Sequence, residues 1–193
     1  MLNKNELTTR IIEKVRAACV EHDIVNGAIG VCYEPAIATF QEWVGTPAGS
    51  LGELHFAEIT KSQDTLCFDD DNKIAGDSLG IVAMKIAGVR RLMLAYEDEE
   101  ILPTREQCTS GSLPDEMVIT GTSNWKGAVA IEIGALGGYG CPFRGAKALT
   151  VYVGVSGGTE EQDEAAAWTA LDVIKESIEQ DFPNLMLARM FYD

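Results

Sequence analysis

The residues of this chain that could do chemistry gather in one glycine-rich stretch, with a few more scattered along the sequence. Gly137-Gly138-Tyr139-Gly140-Cys141-Pro142-Phe143-Arg144-Gly145 places an arginine shortly after a cysteine. A guanidinium near a thiol favours the thiolate, so Cys141 with Arg144 is a candidate nucleophile. The alternative for Cys141 is a plain hairpin cysteine. Lys85 lies on a predicted helix and could meet an anionic ligand, or could be an exposed or ion-paired cation. Cys141, Arg144 and Lys85 are the candidate catalytic set. Ser156 ends a predicted strand before a turn, within Gly154-Val155-Ser156-Gly157-Gly158, and no sequence pattern supplies a base for it. Glu132 and Tyr139 could share acid–base work only if folding brings them together.

Metal and phosphate chemistry are not supported by spacing. The cysteines number five, without CxxC or CxxH spacing, which argues against a zinc site or a disulfide framework. Asp69-Asp70-Asp71-Asn72-Lys73 looks like the start of a calcium loop. Lys73 and Ile74 stand where an EF-hand needs a ligand and a glycine, so a solvated acidic loop is expected and no metal is assigned. Gly157-Gly158 turns into a helix N-terminus, a geometry that can cradle phosphate. Glu160, Glu161 and Asp163 crowd that turn with negative charge, and the turn reads as structural.

Composition bounds the rest. The chain has 193 residues, 46% of them hydrophobic and 23% charged, which suits one globular domain over 1–193 with a substantial core. A net charge of −15 disfavours nucleic acid and anionic membrane surfaces and leaves small molecules or proteins as partners. No apolar run is long enough to cross a bilayer, and the polar opening residues do not form a signal peptide. Free thiols without such a signal point to a reducing compartment, the cytoplasm.

These residues need elements to position them. The clearest element is 149–180. There Leu149, Val151, Val153 and Val155 alternate with Thr150, Tyr152, Gly154 and Ser156 as a strand with one apolar face. After the glycine turn, Thr159 and Gln162 form a capping box for a long helix with Ala167, Leu171, Ile174 and Ile178 on its apolar stripe. Leu7, Ile11, Val15 and Cys19 recur every four residues in a helix over 3–21. Asp77 is expected to cap a helix over 78–96 so apolar that the sheet and another subunit should both cover it. Strands are expected over 28–33, 37–44, 117–120, 128–134 and the start of 149–180. Residues 54–59 read as a short strand or a helical turn, 97–116 as a loop, and 185–192 as an apolar tail. This order does not alternate as βαβ, so an α+β antiparallel sheet is expected over a parallel one.

The segment running from Gly137 through Leu171 resembles the GlcG/HbpS-like family, often labelled haem-degrading or haem-binding, which includes the C-terminal domain of PduO proteins. Gly137-Gly138, Pro142, Gly154-Val155-Ser156-Gly157 and Gln162-Asp163 carry the likeness, which covers about the last third of the chain. It implies a five-stranded antiparallel sheet flanked by helices in profilin-like layering, assembled as a homo-oligomer, commonly an octamer or a smaller ring. It also implies small-ligand binding, with haem or a related tetrapyrrole as cofactor or ligand. Haem needs an axial ligand and an apolar slot, and His22, His55, Cys141 and the methionines are the candidates. His22 can equally supply favourable charge at a helix C-terminus. The expected ligand site is Gly137, Gly138, Tyr139, Pro142, Ser156 and His22, near the Lys85 helix. The function this implies is small-ligand binding. The alternatives are an enzyme of small-molecule catabolism or a ligand-free oligomeric scaffold.

Overall fold

The computed structural model describes residues 3–59, 72–101, 103–135, 147–181 and 185–187. The expected hairpin over 137–145, with Gly137, Gly138, Tyr139, Cys141, Pro142 and Arg144, lies outside the described residues, as does the acidic run over 69–71.

Helix α1, Lys4–Glu21, begins where Asn3 accepts hydrogen bonds from the backbone N–H groups of Asn5 and Glu6, satisfying two donors the helix itself cannot use. Its buried Leu7, Ile11, Val15 and Cys19 follow the expected stripe. Strand β1, Ala28–Pro35, follows, then helix α2, Ala38–Val44, strand β2, His55–Glu58, and the long helix α3, Asn72–Asp98. Short 3-10 turns at Arg105–Gln107, Ser110–Ser112 and Asp115–Met117 lead to strand β3, Ala128–Ala135. Strand β4, Lys147–Ser156, helices α4, Glu160–Trp168, and α5, Ala170–Asp181, and the short strand β5, Leu185–Leu187, complete the order.

The sheet runs β2-β1-β4-β3-β5, and every pairing is antiparallel, so the chain is α+β with helices on an antiparallel sheet. Four of these strands have four residues or more, and β5 is a three-residue edge. Strand β4 lies between β1 and β3, and Ala148–Ser156 is buried throughout. The expected single apolar face is therefore corrected, because both faces are covered. A Cβ on Gly30 or Gly154 would meet Val82 and Ile86 of α3, which puts α3 on the face of the even-numbered residues of β1 and β4. On the opposite face Tyr33 Oη lies 2.8 Å from Thr8 Oγ1 of α1. Helices α4 and α5 pack beside α1.

Two expected strands are not strands. Residues 37–44 form α2, because Phe40 and Val44 are the buried positions, four apart, and Trp43 meets Tyr33 and Phe40 edge to face at 5.2 and 5.7 Å. Gly45, at φ 81°, ends the helix in the left-handed conformation, so tertiary packing overrides the β preference of Ile, Phe, Trp and Val. Residues 117–120 commit their backbone elsewhere. The N–H groups of Met117 and Val118 donate to Pro114 and Asp115, and the Met117 carbonyl accepts from Arg91 Nε at 2.7 Å. The expected long helix after Thr159 breaks at Thr169, whose hydroxyl donates to the Ala166 carbonyl at 2.7 Å and turns the chain between α4 and α5. Asp77 lies inside α3 rather than at its cap, since the helix starts at Asn72. The loop expected over 97–116 contains the first two 3-10 turns and the start of the third, and in the apolar tail expected over 185–192 residues 185–187 pair with β3.

Helix α3 is also held from the side. The Ser123 N–H donates to the Met84 carbonyl at 3.0 Å, and a Cβ on Gly88 would stand 2.1 Å from the Ser123 carbonyl oxygen. Gly88→Ala raises intrinsic helix propensity by about 1 kcal/mol, yet it must push a backbone segment off the helix. Net destabilisation by about 1–3 kcal/mol is expected in urea unfolding; a stabilised variant would show that this close approach does not hold the loop.

Candidate functional site

Among the described residues, two of the buried polar groupings lie where α3 crosses the sheet, one at each end of that stretch. At the first, Lys85 Nζ donates to Asp163 Oδ2 at 2.9 Å and to the Val155 carbonyl at 3.0 Å, with both side chains of the ion pair 3% exposed. Asp163 Oδ1 accepts from the Gly158 N–H at 2.9 Å. Gly127 makes room for this arrangement, because a Cβ there would stand 2.7 Å from Lys85 Nζ. The pair joins α3, on one face of the sheet, to the first turn of α4, on the other. The charge of Asp163 was legible as a complement to the helix dipole, but its partner was not, since 78 residues separate the two.

The second grouping lies on the α3 face towards the other end of the sheet. The register sets Glu34 of β1 opposite Thr150 of β4, and Thr150 opposite Glu132 of β3, so three polar residues form one row across three strands. In the adjacent row Tyr152 stands between Cys32 and Ala130. Arg90 of α3 donates through Nε to Glu34 Oε2 at 2.6 Å and through Nη2 to the Gly49 carbonyl at 3.2 Å. Tyr152 Oη reaches the same Glu34 oxygen at 3.4 Å. Burial first, and then the Glu34 carboxylate, push the Tyr152 phenol well above its ordinary value, so it stays a neutral hydroxyl. Thr150 is fully buried, and its Oγ1 has no hydrogen-bond partner among the described residues. A buried hydroxyl without a partner is a destabilising feature that calls for a reason.

The expected site residues are not brought together among the described residues. Lys85 belongs to the first grouping, with its ammonium already bonded to two acceptors. His22 caps the C-terminus of α1, half-buried, and its carbonyl accepts from Gln162 Nε2 at 2.8 Å, which ties α1 to α4. Ser156 is buried at the end of β4 opposite Ala28. His55 is half-buried on the edge strand β2, opposite Val31, with Nε2 unpartnered among the described residues. Glu132 joins the polar row, while its intended partner Tyr139 lies outside the described residues. The row itself escaped sequence reasoning. Glu34 falls just past the strand expected over 28–33, and Thr150 reads as a routine strand residue, until the register aligns them.

Thiolate chemistry is not favoured at Cys19 or Cys32. Burial, reinforced by the Asp163 charge for Cys19 and the Glu34 charge for Cys32, pushes both thiols up to about 12. A porphyrin does not fit between α3 and the sheet either, since Val82 Cγ1 and Ile86 Cδ1 stand 2.6 and 3.3 Å from where a Cβ on Gly30 would be. That space is closed by side chains.

Lys85→Met leaves Asp163 buried without its cation and is expected to destabilise by about 3–5 kcal/mol in denaturant unfolding. Lys85→Met combined with Asp163→Leu should recover most of that loss; a double variant as unstable as the single would show that the pair is not the source. Comparisons of the chain with family models, with curated proteins and with solved structures returned no match.

Proposed function

We propose that this chain is a small-ligand-binding protein whose site is the polar row Glu34–Thr150–Glu132 with Arg90 and Tyr152. The observation that carries the reading is the buried, unpartnered hydroxyl of Thr150. Folding gains nothing from leaving it unbonded, whereas a ligand that bonds it recovers the loss on binding. Arg90 is the solvent side of the site, because its side chain is 28% exposed while that of Glu34 is 3% exposed.

The resemblance of the last third to GlcG/HbpS-like proteins supports the same class of function and extends it to a cytoplasmic homo-oligomer, whose contact would use the exposed Met84 and Leu94 of α3. The closed apolar face beside Gly30 favours a small polar molecule over a tetrapyrrole. Binding is favoured over catalysis, because Lys85 serves the buried ion pair and the Cys19 and Cys32 thiols are held neutral.

Thr150→Val removes the hydroxyl at constant volume. The ligand-free variant is expected to be more stable than the parent by about 1–2 kcal/mol, a rise in Tm of roughly 2–8 °C for a chain of this size. It should also lose the stabilisation that ligands give the parent in a thermal-shift screen. A Thr150→Val protein that keeps every ligand response of the parent sinks the site. A Soret-active, stoichiometric haem complex would replace the ligand proposed here, and a monomer in sedimentation would remove the oligomer.

A further inference from the structure

We infer that the segment 105–112 is held on α4 by a proton-operated clasp: protonation of the Glu164 carboxyl closes it, and ionisation loosens it. The clasp is independent of the ligand site proposed above. Glu164 lies in α4, one turn before Trp168. The Arg105 guanidinium stacks over the Trp168 ring, 4.7 Å from its centroid. Further along the same segment, the buried Thr109 places its hydroxyl where it acts on the Glu164 carboxyl. The segment meets the sheet through the isolated antiparallel bridge from Thr109 to Val129, where the Ala130 N–H donates to the Cys108 carbonyl at 2.9 Å. Beside it the Ala128 N–H donates to Ser110 Oγ at 3.1 Å. So short a run of backbone bonds opens more readily than a strand, which leaves the side-chain contacts with α4 to set how often the segment is closed.

Glu164 is the member a proton can act on. Its Oε2 is buried and has no hydrogen-bond partner among the described residues. An ionised oxygen so placed has lost its water without replacement, whereas a protonated carboxyl carries no charge to solvate. The neighbouring cations are engaged elsewhere. Arg105 covers the Trp168 ring, and Lys126 pairs through Nζ with Glu161 Oε1 at 3.5 Å and through its backbone N–H with Glu160 Oε2 at 2.9 Å. Burial, with the Glu161 charge adding to it, pushes the Glu164 carboxyl above its ordinary value, against the opposite pull of the Thr109 hydroxyl, Lys126 and Arg105. When the segment opens, the carboxyl regains water and its ordinary value, so closing takes up a proton. The stabilisation of the closed form is therefore complete below the ordinary carboxylate range and is lost as pH rises through the raised value. Glu161, exposed on the same helix, behaves in the opposite sense, because its own backbone N–H and then Lys126 hold its carboxyl below the ordinary value.

The test is amide hydrogen exchange of the full chain from about pH 5 to about pH 7.5, with rates corrected for the intrinsic pH dependence of exchange. Protection of 108–113 and of Ala130 is expected to fall about threefold or more across that range, while protection of α1 stays level. Glu164→Gln, neutral and of the same shape, should keep the segment's protection level at every pH, and Glu161→Gln should retain the parent's slope. A parent whose segment protection ignores pH overturns the clasp, as does a Glu164→Gln protein with the parent's slope. A fall of equal size in α1 assigns the response to the whole fold and overturns it too. Carbon-13 titration of the Glu164 carboxyl in the parent requires no variant to fold: a midpoint at or below that of Glu161 rejects the clasp by itself.

Discussion

The buried ion pair between Lys85 and Asp163 is the contact on which the arrangement of this molecule depends. Helix α3 and helix α4 lie on opposite faces of one sheet, so no ordinary side-chain packing joins them. Lys85 reaches past the Gly127 backbone to a carboxylate in the first turn of α4 and also bonds the last part of β4 at Val155. Two charges at 3% exposure are expensive to remove from water, and they persist only with their hydrogen bonds complete. Here Asp163 has the ammonium on one oxygen and the Gly158 N–H on the other. The geometry is therefore narrowly defined, and it fixes where α3 lies along the sheet.

That placement decides what the far end of α3 can touch. Arg90 lies five residues beyond Lys85 on the helix, an advance of about 7.5 Å along its axis. With Lys85 pinned at the end of β4 near Val155, Arg90 comes over the row that contains Glu34. Val82 and Ile86, packed against Gly30 and Gly154, close the space between the helix and the strands. One end of α3 is thus an anchor, its middle is packed, and the other end carries a guanidinium above a polar row. The packed middle excludes a flat tetrapyrrole, and the polar end offers a mixed set of donors and acceptors.

Much of the local structure was legible in the residues. Asn3, the four-residue spacing of α1, the Thr159–Gln162 capping box and the alternation of β4 each express a short-range preference that the fold keeps. The failures have a common origin. Residues 37–44 carry strand formers but bury Phe40 and Val44 four apart, a choice made by Tyr33 and Gly45 rather than by propensity. Residues 117–120 are apolar enough for a strand, yet Arg91 and local turns take their hydrogen bonds. Of the expected site, Lys85 is central to the structure in a role its helix did not announce, and Glu132 was singled out for chemistry without its neighbours.

By itself the sequence determined where α1 and α4 begin, that the sheet should be antiparallel, and that the interior is large enough for a single core. Those properties depend on residues a few positions apart, whose preferences can be summed along the chain. Only the tertiary structure decided that Lys85 meets Asp163 and that Glu34, Thr150 and Glu132 share a row. Those partners lie on different strands or on opposite faces of the sheet. Strand register and helix placement, which align them, are set by the packing of the whole core rather than by any segment of it.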